Sequence, residues 1–255
     1  MKPVLSLCAM LATGAALAAP RPARDTAFVG VEKASVGVFA PLTYAFSEHL
    51  ELRAHPLLFL VAPNVVARVT HGDLGGLRIT GEYGVSIPTV PMRLARGYLF
   101  PTRAEIPWMV IPSAGVIASR GDPFGSVWSA SAEIAYRARL GPTSLTPTNA
   151  PAPLEMVLAP GAGGYRVRAG GAYDVALGER WRVRGYGDVF VWPGGMLSPV
   201  AFRLGAAADL AVAEKSRFTF GAVYWNSDTG RVDLASGERL RSHDILPTVD
   251  FIWAW

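Results

Sequence analysis

The segment from Ile245 to Trp255 at the end of the chain alternates between two kinds of side chain. The apolar set consists of Ile245, Val249, Phe251, Trp253 and Trp255. Side chains of a β-strand repeat every two residues, so the segment predicts a strand with one oily face and one polar face. Three aromatic side chains on one face at the end of a strand are unusual for a soluble sheet. They fit a strand whose apolar face meets lipid.

Composition narrows the choice of fold. Hydrophobic residues make up 51% of the chain and charged residues 17%, which is oily for a soluble exported protein. Beyond the first residues, the longest unbroken apolar run is Leu57 to Pro63, far short of the roughly 18 to 20 residues of a membrane helix. Only helices and closed barrels satisfy every backbone group in lipid. The sequence therefore predicts an all-β fold, a closed antiparallel up-and-down transmembrane β-barrel.

The start of the chain predicts export. Lys2 precedes a short apolar run from Val4 to Ala16, and Ala16-Leu17-Ala18 has the small residues of a cleavage site. We expect residues 1–18 to be a signal peptide cleaved after Ala18 and residues 19–255 to form one domain. Cys8 is the single cysteine and leaves with the signal, so no disulfide is expected in the mature chain.

Alternating segments recur along the chain at steady spacing, and the clearest runs from Tyr165 to Leu177. Eleven strands are predicted, near residues 36–44, 50–55, 64–70, 77–87, 107–119, 128–140, 165–177, 181–191, 200–212, 217–224 and 245–255. Bacterial single-chain barrels have an even number of strands. We therefore predict twelve, with Ala27 to Glu32 as the short twelfth strand, and ten as the alternative.

The connections between these strands differ in length. Short turns are predicted at 47–49, 71–76, 121–125, 178–180 and 213–215, and longer connections at 88–106, 141–164 and 227–242. Outer-membrane barrels place short turns in the periplasm and long loops outside. If the last strand descends to the periplasm, every predicted short turn falls on the periplasmic side, which supports the topology.

The alternation of Val249, Phe251, Trp253 and Trp255 resembles the terminal aromatic signal that bacterial outer-membrane β-barrel proteins present to their assembly machinery. The segment from Pro41 to Leu52 is also similar to a strand-turn-strand unit of such barrels. The resemblance implies a barrel in the outer membrane, with the lipid bilayer and the assembly machinery as partners. It implies Phe251, Trp253 and Trp255 as the assembly signal and carries over no catalytic residue.

Many charged side chains fall on the strand faces opposite the apolar ones, so they are expected to line the lumen. The candidates for solute binding or selectivity are Arg53, Arg137, Arg139, Arg166, Arg168, Arg182, Arg184, Arg203, Glu82, Glu133, Asp174, Asp188 and Asp209. Rings of arginine favour anions in pores, so one hypothesis is a narrow solute pore. The other is a filled lumen in which the charges pair and brace the barrel.

Other functions have less support. The cluster Ser242-His243-Asp244 could belong to a lipid-modifying or proteolytic enzyme at the external rim. Neighbouring strand residues point to opposite faces, however, so we predict no enzyme. No pattern for a metal, a cofactor or nucleic acid occurs. The tryptophans near strand ends (Trp181, Trp192, Trp225, Trp253 and Trp255) predict an interfacial girdle. A soluble exported β-sandwich is the remaining alternative.

Overall fold

The structure, a computed structural model, describes most of the chain beyond residue 20. The described residues are 21–56, 63–94, 96–97, 102–103, 105–142, 164–191, 200–232, 235–237 and 239–255. The predicted signal peptide, residues 1–18, lies outside them.

Thirteen strands and one short helix form the described part of the fold. The strands are β1 (Ala34–Gly37), β2 (Leu42–Ser47), β3 (Leu50–Ala54), β4 (Asn64–Leu74), β5 (Leu77–Ser86), β6 (Trp108–Gly121), β7 (Ser126–Tyr136), β8 (Ala138–Leu140), β9 (Tyr165–Leu177), β10 (Trp181–Val191), β11 (Val200–Ala213), β12 (Ser216–Val232) and β13 (Arg239–Ala254). The helix, α1 (Thr89–Leu94), lies in the connection between β5 and β6.

Twelve of the strands close into a ring of antiparallel neighbours. Each pairs with the strand before and after it, and β1 pairs with β13 through contacts such as Ser35 opposite Ala254. The additional strand β8 follows directly on β7 and pairs only with the first residues of β6. The prediction of a closed twelve-stranded antiparallel barrel is therefore confirmed. A β-sandwich is wrong, because its two sheets would leave the first and last strands unpaired.

The source of the twelfth strand differs from the prediction. Residues 27–32, predicted as a strand, form no strand pairing and lie inside the barrel instead. The predicted strand 36–44 is divided into β1 and β2 by a bend at residues 38–41. Asp250 holds this bend by accepting hydrogen bonds from the backbone N–H groups of Phe39 (3.0 Å) and Ala40 (2.8 Å).

The alternation of side chains is preserved around the ring. Large apolar side chains such as Trp128, Tyr173 and Val189 are exposed on the outer surface. Charged and polar residues of the same strands, such as Asp174 and Asp188, are buried inside. This arrangement is that of a barrel whose exterior meets hydrocarbon and whose interior is polar. No helix among the described residues is both long enough and apolar enough to cross a membrane.

The two ends of the barrel differ in their connections. One end, called the turn end below, carries the short connections at residues 48–49, 75–76, 122–125, 178–180 and 214–215, and it holds the start of β1 and the end of β13. The opposite end, the loop end, carries the longer connections. There, Thr89 of α1 accepts a hydrogen bond from the backbone N–H of Met109 (2.7 Å), which fixes the helix to β6.

Candidate functional site

The lumen at the turn end is occupied by residues 21–33, here called the N-terminal segment. Its backbone carbonyls accept hydrogen bonds from side chains of the wall: Arg182 to Arg21 (3.0 Å), Arg217 to Pro22 (3.0 Å), Arg68 to Thr26, and Thr80 to Ala27 (2.6 Å). The backbone N–H of Ala27 donates to the hydroxyl of Ser119 (2.8 Å). The wall thus supplies the partners that a strand neighbour would otherwise supply to a buried backbone.

Asp25 is the part of this segment that meets the middle of the lumen. It has a left-handed backbone conformation, with a φ of 53°. Its carboxylate forms ion pairs with Arg53 of β3 (2.9 Å) and with Arg184 of β10 (2.7 Å). Burial alone would raise the pKa of Asp25, but the charges of Arg184 and Arg53 outweigh it and hold this pKa well below its usual value. Asp25 is therefore a charged bridge between the segment and two walls.

Charged side chains of the barrel wall also form ion pairs with one another around the N-terminal segment. Arg68, which is fully buried, forms ion pairs with Glu51 (2.8 Å) and Glu82 (3.1 Å). The other pairs are Arg53–Glu51, Arg166–Glu133, Arg168–Glu133, Arg168–Asp188, Arg184–Asp174, Arg203–Asp188 and Arg217–Asp209. Pairing of this density braces the interior of the barrel. Paired charges of this kind belong to the second of the two sequence hypotheses for the lumen.

A cavity of about 720 Å³ remains above the N-terminal segment. Among the described residues, six arginines and six acidic residues line it: Arg24, Arg53, Arg168, Arg184, Arg203, Arg217, Asp25, Glu32, Glu51, Glu82, Asp188 and Asp250. The formal charge of the lining is therefore balanced. The volume lies in the range of pockets that enclose small ligands.

One wall of the cavity combines arginines with aromatic rings. The ring of Tyr186 lies between the guanidinium groups of Arg184 (5.2 Å from the ring centroid) and Arg203 (5.5 Å). Arg203 also lies over the ring of Trp225 (5.6 Å), which stacks on Phe190 (centroids 5.7 Å apart). Cation–π contacts of this kind hold a guanidinium in place without using its hydrogen-bond donors.

Gly205 makes this wall possible. A Cβ atom at this position would lie 2.2 Å from Cζ of Tyr186, so any larger residue would displace the ring into the cavity. The glycine inside β11 therefore serves a close approach between neighbouring strands. Gly185, one residue before Tyr186, has open space around it and no such requirement.

The structure brings some of the predicted lumen residues to the cavity and not others. The cavity is lined by Arg53, Glu82, Arg168, Arg184, Asp188 and Arg203. The predicted residues outside its lining are Asp174, Arg182, Asp209, Glu133, Arg166, Arg137 and Arg139, although Asp174 lies opposite Arg184 and Glu133 opposite Arg168 in the sheet. Arg139 belongs to β8 and is exposed, so the structure does not bring it to the cavity.

Sequence reasoning missed several residues of the site. Trp225 was predicted to belong to the outer girdle, and this is wrong, since its side chain is buried inside the barrel. Every second residue of a strand points to the same face, so Trp225 points inward like Arg217 and Thr219 of the same strand. Tyr186 and Phe190 likewise share the inward parity of Arg184 and Asp188. The position of the N-terminal segment inside the lumen had no sequence signal, because the side chains of the wall that bind its backbone lie in distant parts of the chain.

In the cluster at residues 242–244, considered above for a hydrolase, the described partners of His243 lie on β12. Nδ1 of His243 lies 2.7 Å from the hydroxyl of Tyr224 and 3.2 Å from Nδ2 of Asn226. Asp244 is the next residue of the same strand and points to the other face. Across the described residues, no group of three or more histidine, cysteine or acidic side chains is placed to hold a metal ion.

The predicted assembly residues Phe251, Trp253 and Trp255 are all exposed on the outer surface at the turn end. Together with the closed ring, the apolar exterior and the charged interior, they complete the fold of a bacterial outer-membrane β-barrel.

Solved structures of outer-membrane proteins resemble the chain at low sequence identity. The outer-membrane expressed OmpT of Vibrio cholerae matches with a TM-score of 0.47 and 8% identity, over 84% of this chain and 64% of that one. The in-vitro folded trimer form of the same Vibrio protein gives 0.46 and 9%, over 92% and 72%. OprD of Pseudomonas aeruginosa gives 0.40 and 10%, over 84% and 58%. The chain thus spans less than two thirds of the first of these proteins. No protein-family model and no curated protein matches the sequence.

Proposed function

We propose that the protein is an integral outer-membrane β-barrel without enzymatic activity, which binds a small polar solute in its lumen and passes it through a narrow path. The observation that carries the proposal is the charge-lined cavity of about 720 Å³ whose floor is the N-terminal segment. Both hypotheses for the lumen enter this proposal: the charges brace the wall, and the space between them receives the solute.

Passage requires the N-terminal segment to move. In its present position the segment is bonded to opposite walls at the turn end, through Arg68 and Thr80 on one side and Arg182 and Arg217 on the other. Asp25 makes the two shortest ion pairs between the segment and the wall. Loss of this carboxylate would remove both ion pairs and weaken the attachment of the segment to the wall.

Planar-bilayer recording of the purified mature protein tests the proposal. We expect the wild type to be closed most of the time and the Asp25→Ala variant to open more often. Asp73→Ala is the matched control, because Asp73 forms an exposed ion pair with Arg78 (3.1 Å) away from the cavity. Absence of conductance in all three proteins at every voltage would remove the passage and leave only the barrel.

The location and partners follow from the same proposal. We place the barrel in the outer membrane, delivered by cleavage after Ala18 and inserted through the assembly machinery that reads Phe251, Trp253 and Trp255. Mass spectrometry of the protein from isolated outer membranes tests this, with Ala19 expected as the first residue. A first residue before position 19, or recovery from the soluble periplasmic fraction, would contradict it.

A further inference from the structure

Every carboxylate that lines the cavity is already engaged by the protein. Asp25 bridges Arg53 and Arg184, and Asp188 accepts from Arg203 (2.6 Å). The remaining carboxylates are bound as follows: Glu51 by Arg53 and Arg68, Glu82 by Arg68, Glu32 by Arg21 and Arg217, and Asp250 by backbone N–H groups. The charge of each of these carboxylates is thus compensated by the protein, although Glu51 and Glu82 use only Oε1 in their ion pairs.

The guanidinium groups of the cavity keep unused hydrogen-bond donors. A guanidinium has five N–H groups and no acceptor. Among the described residues, Arg203 uses only Nε in a hydrogen bond, Arg184 uses only Nη1, and Arg53 uses Nε and Nη1. Arg168 makes ion pairs of 3.3 and 4.0 Å through Nη2 and Nε. Each of the four therefore keeps at least one terminal nitrogen with no protein partner in the described structure.

These arginines occur as two pairs, each held by one aspartate. Asp25 joins Arg53 and Arg184, and Asp188 lies 4.0 Å from Arg168 and 2.6 Å from Arg203. The rings of Tyr186 and Trp225 further fix Arg203. An ordered pair of guanidinium groups binds an oxyanion at a smaller entropic cost than mobile side chains would.

From these ordered guanidinium groups and their unused terminal nitrogens we propose that Arg53, Arg168, Arg184 and Arg203 form a binding site for a small solute that carries a carboxylate or phosphate group. The inference rests on the solute-binding lumen proposed above and names the chemistry of its solute. Charge-assisted hydrogen bonds from guanidinium groups to oxyanions are the strong contacts here. The balanced formal charge of the lining limits the net attraction, which allows the solute to leave again.

Isothermal titration calorimetry of the mature protein in detergent micelles tests the site, with sodium phosphate and sodium citrate as separate probes and glucose as the uncharged probe. We expect saturable binding of phosphate or citrate and none of glucose. Arg203→Lys keeps the charge but loses the planar set of donors, so we expect affinity to fall about tenfold or more. Arg78→Lys, outside the cavity, should bind like the wild type.

Heat-modifiable gel migration confirms that each variant is folded. If Arg203→Lys fails this check, Arg168→Lys serves as the second variant, with the same expected loss. The tighter of the two probes identifies the group as carboxylate or phosphate. Failure of both anions to bind the wild type, or equal affinity in a folded cavity variant and the wild type, would overturn the site.

Flux of the same anions into protein-containing vesicles separates this inference from the proposed passage. Binding without flux would refute the passage and keep the site. Equal flux of phosphate, citrate and glucose, together with no binding of either anion, would refute the site and keep the passage.

Discussion

Arg68 provides the sharpest test of how the lumen is stabilised. Its side chain is 0% exposed, and it pairs with Glu51 and Glu82 while donating to the carbonyl of Thr26. The change Arg68→Met keeps much of the volume and removes the charge. Glu51 retains Arg53 at 2.7 Å, but Glu82 loses the only ion-pair partner that the described structure gives it.

The expected cost follows from that difference. Removal of one partner from a buried ion pair costs about 3–5 kcal/mol, because the other charge stays buried without compensation. Since Glu51 keeps one arginine, we expect the lower end of this range, about 3 kcal/mol. The matched control is Arg78→Met, whose pair with Asp73 is largely exposed and for which we expect about 0–1 kcal/mol.

Equilibrium unfolding in urea, with the protein in lipid vesicles and followed by tryptophan fluorescence, measures both costs. The double variant Arg68→Met with Glu82→Gln should recover about 1–2 kcal/mol, because the uncompensated charge is removed. Equal losses for Arg68→Met and Arg78→Met would refute the reasoning. So would a double variant less stable than Arg68→Met alone.

Three further outcomes are expected. Gly205→Ala should destabilise the barrel by about 1–3 kcal/mol in the same unfolding assay, because Tyr186 must move, whereas Gly185→Ala should have little effect; equal effects would contradict this. The lowered pKa of Asp25 means that its ion pairs stabilise the closed state fully above the ordinary Asp value of about 4 and are lost as the pH falls through the lowered value. Bilayer recordings should therefore show no added openings between pH 7 and pH 5, and openings that begin near pH 6 would contradict this account. His243→Ala should leave any hydrolysis of phospholipid or peptide by purified protein unchanged, and a loss would revive the enzyme hypothesis.

The strands could be predicted because a barrel wall has a strict two-residue period. In β9 and β10 every charged residue points inward and the outward residues are uncharged, so each strand identifies its two faces, although Tyr186 and Phe190 also point inward. The count of twelve followed from the even number required for closure. The resulting ring is confirmed by the pairing of β1 with β13.

The N-terminal segment could not be predicted by the same reasoning. Residues 27–32 alternate like a strand, but strand formation also requires a neighbour with free backbone groups. Here the backbone is bound instead by side chains of Arg68, Thr80 and Ser119, which are between 42 and 92 residues away in sequence. No local pattern contains that information.

The position of Trp225 shows a second limit. A tryptophan near a strand end was assigned to the membrane interface from its residue type, although its parity with Arg217 pointed inward. Inside the barrel it stacks with Phe190 and supports Arg203. The backbone of a strand fixes the face to which each side chain points, whereas residue type only favours a location. The alternation along the strand therefore gave the better assignment.

Fluorescence quenching by brominated lipids tests the central claim, that one face of each strand meets lipid and the other faces the interior of the barrel. Variants that keep one tryptophan each would report on Trp128 (49% exposed), Trp253 (51%) and Trp225 (5%) in vesicles. We expect strong quenching of Trp128 and Trp253 and almost none of Trp225. Quenching of Trp225 equal to that of the other two, or no quenching of Trp128 and Trp253, would contradict the account.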